Sequence, residues 1–214
     1  EGATLRYSTI ENWSKNMLNL NTKRASVEKN GAIEWISGTF GSHITMLYPS
    51  SILKGENARS EYIGVSVASS NQFLDTGTKV IHAAPGTSST MSSKSISRSG
   101  GNTTTRTSVT VLPEAVNSRS SVLCEALMMD GRSRSDTIPA MDIRNDEADI
   151  GHEAKIGRIS EESIFYLMSR GLSEEDAKAL IVRGFVEPVT KELPLEYAVE
   201  MNRLVGLELE GAIG

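Results

Sequence analysis

The sequence predicts a mainly β fold followed by a small helical region, on three observations. Short runs of alternating apolar and polar residues recur up to about residue 158, with no sustained 3.6-residue apolar pattern. Glycines punctuate them, and Gly55, Gly77 and Gly100 are spaced 22 and 23 residues apart. Beyond residue 158 the pattern turns helical, with serine caps, acidic first turns and apolar residues at helical spacing. The glycine spacing suits a stacked β-coil repeat. A sandwich or a barrel gives the same strand density, so periodicity alone leaves all three open.

The strands are read at Ala32 to Ile36, Tyr62 to Ala68, Lys79 to Ala83, Ser108 to Leu112 and Val122 to Met128. Between residues 86 and 121, 18 of 36 positions are Ser or Thr. A linker is the wrong reading, because Ile96, Val109 and Val111 keep strand spacing and proline is nearly absent. The hydroxyls belong on one strand face, where they can bond laterally, and a solvated face is the expectation. In the helical region Ser160 caps a helix carrying Ile164, Phe165, Leu167 and Met168, which Gly171 stops. Ser173 caps a second helix, expected to end at Gly184. A third begins near Pro194 and carries Tyr197, Met201, Leu204 and Val205. The expected domains are therefore 1–158 and 159–214. Three short helices bury little by themselves and must pack on the β region or on another protein.

At 214 residues the chain can bury a core without disulfides, but with 38% apolar residues that core should be thin or elongated. The net charge of -5 lies in residues 152 to 214, which hold seven Lys/Arg against twelve Asp/Glu; the remainder holds fifteen of each. No basic stripe or polybasic patch is present, so neither a nucleic acid nor a membrane is expected as partner. A protein with a basic face fits better. No run approaches the roughly 18 apolar residues of a membrane span, and the opening Glu1-Gly2-Ala3-Thr4 is neither a signal nor a transit peptide. The chain reads as cytoplasmic, or as a fragment.

The usual phosphate-binding, dinucleotide, serine-hydrolase, zincin and CxxC motifs are all missing, so ATP hydrolysis by this chain is not expected. What remains is one cysteine, Cys124, and three histidines. Strand parity puts Cys124 with Val122, Ala126 and Met128, facing inward, and Glu125 on the wetter face. A buried, inert thiol is the plain expectation. The same parity sets His152 with Ile150, Ala154 and Ile156, and Glu153 with Lys155, a core histidine and a surface ion pair on the plain reading. His82 and His43 receive no role.

These residues carry a resemblance. Ser93 to Ser97, Ser133 to Pro139, Gly151-His152-Glu153-Ala154, Ser160 to Ala177, Ile181 to Phe185 and Glu192 to Ala198 resemble the SufB/SufD family of the SUF iron–sulfur cluster assembly machinery. Similarity reaches back to Arg6 through Trp13, and the His-Glu-Ala form at 152 to 154 favours the SufB branch. The resemblance implies a right-handed parallel β-helix followed by a helical domain, in a C-terminal fragment of a longer protein. It implies an assembly scaffold rather than an enzyme, with ATP hydrolysis in the ABC-type partner SufC, docked by residues 160–214. A SufD-like subunit or a second copy would pair with the β-helix, and sulfur would come from a cysteine desulfurase relay. The location implied is cytoplasmic, or plastidic in a plant or alga. Cys124 matches the family's strand cysteine and Glu153 a carboxylate implicated beside it, with His152 its neighbour. All three are candidate ligands of a transient iron–sulfur cluster. Arg6 and Lys79 match positions associated with a polar path through the β-helix. Flavin is left open. Where some SufB proteins carry a sulfur-accepting cysteine after Thr22-Lys23-Arg24-Ala25, this chain has Ser26 and Val27. Two other readings stand beside the scaffold: a SufD-like, purely structural SufC-binding protein, and a carbohydrate-acting β-helix. The last lacks a placeable carboxylate pair and an aromatic platform.

Overall fold

A computed structural model describes residues 1–210 and shows a parallel β-solenoid of about five turns, followed by three helices. The first turn holds β1 (Thr4–Trp13), β2 (Leu18–Asn21) and β3 (Arg24–Val27), and the second β4 (Ala32–Gly41), β5 (Ile44–Leu47) and β6 (Ser50–Leu53). Next come β7 (Arg59–Ala68) with β8 (Phe73–His82), β9 (Ser88–Ser97) with β10 (Asn102–Val111), and β11 (Arg119–Met128) with β12 (Arg134–Ile143). The last strand is β13 (Asp149–Arg158). One sheet runs β1-β4-β7-β9-β11-β13. The other runs β12-β10-β8-β5-β2, with β6 also on β8 and β3 on β6. Every pairing is parallel and in register, which excludes the sandwich and the up-and-down barrel.

One turn is 26 to 32 residues long, as in Leu18 beside Ile44 and Asn102 beside Arg134. The 22- and 23-residue glycine spacing is not this period. Gly77 lies within β8, whereas Gly55 and Gly100 lie in connections between strands. The real punctuation is a left-handed residue two positions before five of the six strands of the first sheet: Gly2, Asn30, Asn57, Gly86 and Asn117, with φ between 55° and 66°. Asparagine and glycine tolerate that conformation, and it turns the corner of the coil.

The hydroxyls are inside, contrary to the solvated face expected. Thr87, Ser89, Ser93, Ser95, Thr103, Thr105, Ser118 and Ser120 are all buried. They bond from turn to turn, as in Thr87 to Ser118 and Ser89 to Ser120, both 2.8 Å. Beside an apolar column of Trp35, Tyr62, Met91 and Val122, the stacked hydroxyls bond to one another inside the lumen. His82 joins this network through Nδ1 to Thr87 (2.9 Å) and Nε2 to Ser89 (3.0 Å). Burial pushes its pKa down to about 4, with Thr87 opposing. The unfolded chain therefore binds this proton first, so the stability His82 contributes is complete above about pH 6.5 and lost as pH falls toward 4. That loss is on the order of 3 kcal/mol. Denaturation of His82→Gln at pH 7 and pH 4.5 should show a flatter pH dependence than wild type; an unchanged slope would assign the acid sensitivity elsewhere.

The helices are α1 (Glu161–Ser169), α2 (Glu174–Thr190) and α3 (Leu195–Glu210). Ser160 and Ser173 cap the first two, each accepting a backbone N–H at 3.1 Å. The second runs past its expected end at Gly184 and includes Pro188. Proline clashes with the carbonyl four residues back, which here belongs to Gly184, the residue best able to yield. Burial of Val182, Val186 and Val189 outweighs the roughly 1 kcal/mol that a helical glycine costs. With Met201, Leu204 and Val205 of α3 they cover Ile36, Phe40, Val65, Val67 and Ile96 on the outer face of the first sheet. Gly38 lies under this contact, where a Cβ would stand 2.7 Å from the flexible end of the Met201 side chain. In α1 only Ile164 is buried, and Phe165 is 73% exposed, as is much of Met168. The expected apolar face of this helix is largely turned to solvent.

Candidate functional site

Cys124 sits in the middle of β11, and the parity of that strand turns it into the lumen, 2% exposed. Ser93 and Ala154 are its neighbours along the sheet. Two positions before Ser93's partner Gly64, the Tyr62 ring reaches forward. A Cβ on Gly64 would meet the Tyr62 hydroxyl at 2.3 Å, so glycine makes room for that group near the thiol. Burial raises the pKa of the Tyr62 hydroxyl, and Cys124 raises it further. Across the lumen stands Thr107 of β10. Burial pushes the Cys124 thiol up to about 11, and Thr107 pulls the other way. The Thr107 hydroxyl itself is buried and makes no well-directed hydrogen bond. Closed in this way, Cys124 is a neutral thiol at neutral pH, and it becomes a ligand only when something opens the lumen to it.

The opening is close by. β12 and β13 are the last strands of their sheets, so one edge of each is unpaired. Lumen-facing Met141, Ile143 and Ile156 are exposed there. Cys124 lies a single strand layer in from this uncapped end. His152 of β13 stands beside Val122 on the same lumen face, and its Nε2 is buried without a hydrogen-bond partner.

The remaining predicted site residues lie elsewhere. Glu153 pairs in register with Leu123, on the opposite face of the sheet from Cys124, and bonds Lys155 at 3.1 Å in solvent. Arg6 is exposed on the outside of the first turn, where it holds Glu34 (2.6 Å) and the Glu192 carbonyl (3.2 Å). Lys79 is exposed on the outer face of the second sheet, between Ser50 and Ser108. The structure thus brings Cys124 and His152 to one end of the lumen and leaves Glu153, Arg6 and Lys79 outside it. Among the described residues no three His, Cys, Asp or Glu side chains converge as a metal-binding group, so the chain offers at most a partial donor set.

Polar lumen groups that sequence reasoning missed lie toward the first turn. Glu11 is buried, accepts from Asn19 Nδ2 (2.6 Å) and pairs with Lys23 (2.8 Å), whose ammonium also stands 5.4 Å from the centre of the Tyr7 ring. Parity along Tyr7, Thr9 and Glu11 was the available signal. A carboxylate on that face ordinarily reads as solvated, because a charge enters an interior only when paired.

Fold and site together define a parallel β-solenoid with one buried thiol just inside an open end and a helical appendage on its flank. The chain belongs to the SufBD core family: the family described as "SUF system FeS cluster assembly, SufBD core domain" matches residues 1–185. It is 53% identical over 214 residues to the iron-sulfur cluster assembly protein SufB of Bacillus subtilis, covering all of this chain and 46% of that protein. It is also 53% identical over 212 residues to an iron-sulfur cluster assembly SufBD family protein of Mycobacterium tuberculosis, covering 99% of this chain and 25% of that protein. A Staphylococcus epidermidis SufBD family protein is 51% identical, with 99% and 46% covered. The match is that of a C-terminal SufB portion, and the chain spans about half the length, or less, of these relatives.

Proposed function

We propose that this chain is the cluster-bearing part of a SufB-type scaffold, working in a SufB–SufC–SufD-type complex. One observation carries the reading: the only thiol faces the lumen one layer from an uncapped end, with an unpartnered imidazole nitrogen on the same face. A thiolate is the soft ligand that iron and sulfide require, and imidazole is a suitable second. Two donors hold a cluster weakly, which suits a scaffold that must hand its product on. A SufD-like subunit, or a second copy, would cover the open end along β12 and β13 and supply the remaining ligands. Sulfur would arrive from a desulfurase relay. Glu153, on the outer face, would contribute through the partner rather than beside Cys124 in the closed chain. Docking of the ATPase is assigned to 160–214, on the side of α1 and α2 that shows Phe165, Tyr166 and Leu180 to solvent. Beside it is a cleft of about 320 Å³ lined by Met129, Arg158, Phe165 and Met168. No helix among the described residues is long and apolar enough to cross a membrane.

Anaerobic reconstitution of the full complex with ferrous iron and sulfide, followed by its visible spectrum, tests the reading. His152→Ala should cut bound iron about tenfold, the lower end of the loss seen when groups near a metal are removed, whereas Glu153→Ala should cut it by less than about threefold. A Glu153 defect as large as that of His152 would place the carboxylate at the cluster. Absence of any cluster in the wild-type complex would favour the SufD-like, purely structural role.

A further inference from the structure

Thr107 lies in the middle of β10, facing the lumen and 3% exposed. Its neighbours along the sheet are Thr78 and Pro139. Thr78 gives its hydroxyl hydrogen to the Pro49 carbonyl at 2.8 Å, and Pro139 has no polar side-chain atom. Thr107 Oγ1 is therefore buried with no hydrogen-bond partner, a state native interiors rarely keep without a use. The polar side chain it meets is Cys124, across the lumen. A neutral thiol is a poor acceptor, and Thr107 Oγ1 makes no well-formed bond to it in the closed chain. Sulfur bound to iron carries negative charge and accepts strongly.

The geometry points to Thr107 as a positioning residue for Cys124, its hydroxyl donating a hydrogen bond to the Cys124 sulfur when that sulfur ligates iron. The bond holds the sulfur in one rotamer on the lumen axis and draws charge from it. This rests on the reading of Cys124 as a cluster ligand and adds to it a residue that touches neither iron nor sulfide.

The test uses the full complex, loaded anaerobically with ferrous iron and sulfide. Thr107→Val keeps the shape and removes the donor; Thr107→Ser keeps the donor and removes a methyl. The valine variant should lose its cluster to a chelator about tenfold faster than wild type. Its sulfur-to-iron absorption should move to longer wavelength, because an unbonded thiolate gives up charge more readily. The serine variant should match wild type on both readouts. Thermal stability of the valine variant should equal or exceed that of wild type, since an unpaired buried hydroxyl is gone. If valine fails to fold, Thr107→Ala against Thr107→Ser makes the same comparison. Valine behaving as wild type, or serine behaving as valine, overturns the proposal. Cys124→Ser is loaded in parallel: if it holds the cluster normally the reading of Cys124 fails, whereas a deficient Cys124→Ser beside a normal valine variant sinks Thr107 alone.

Discussion

Cys124→Ser should abolish cluster assembly in the full complex while leaving the solenoid folded. The side chain is buried among Val122, Tyr62, Met91 and Val109, and exchange of sulfur for oxygen conserves its shape, so a stability loss below about 1.5 kcal/mol is expected. The new hydroxyl does not stand alone, because Thr107 Oγ1 faces it without another partner. The chemical loss is of another size. Removal of the only thiol in the chain takes away the soft ligand, and a hydroxyl does not replace it. Maturation of a client iron–sulfur protein, measured together with the unfolding midpoint, separates the two effects. Normal maturation by the serine variant would remove Cys124 from the chemistry, and a collapsed midpoint would show the residue to be structural instead.

Phe165→Asp should weaken capture of the ABC-type ATPase about 30-fold or more, the effect of losing an aromatic anchor from an interface centre. Phe165 is 73% exposed on α1 and packs on little of its own chain, so the folded state should be indifferent to the change. Deletion of residues 160–214 is a poorer version of the experiment. It would strip α2 and α3 from Phe40, Val65, Val67 and Ile96, and the uncovered sheet face would aggregate whatever the binding surface. Titration of the point variant against the ATPase, with circular dichroism as control, gives the answer. Unchanged affinity would move the docking surface off this face of α1.

Much of this was legible in the chain itself. Alternation in Val122 to Met128 pointed Cys124 inward, and it does face the lumen; the same parity separated Glu153 and Lys155 from His152, and they lie on opposite faces. Serine caps located the starts of two helices. The end of α2 was missed because Gly184 and Pro188 are local breakers, whereas burial of the valines around them is a tertiary gain. The period of the coil was also present, in Asn30, Asn57, Gly86 and Asn117, but the more numerous glycines masked it. Glycine serves close contacts as well as corners, so its spacing mixes two causes.

Strand parity is a property of the backbone, repeating every two residues whatever surrounds it, so the sequence by itself determined which side chains enter the lumen. It did not determine what they meet. Cys124 faces Thr107 and adjoins Ala154 because the coil brings strands 26 to 32 residues apart into register and folds two sheets around one lumen. The corners absorb turns of different length, whereas a slip of one residue in strand pairing would turn a whole strand's side chains to the other face. That register, and the placement of the thiol one layer from an open end, exist only once the turns have stacked. Hydrogen bonding across turns and burial of the lumen act between residues far apart in the chain, and no local preference encodes them.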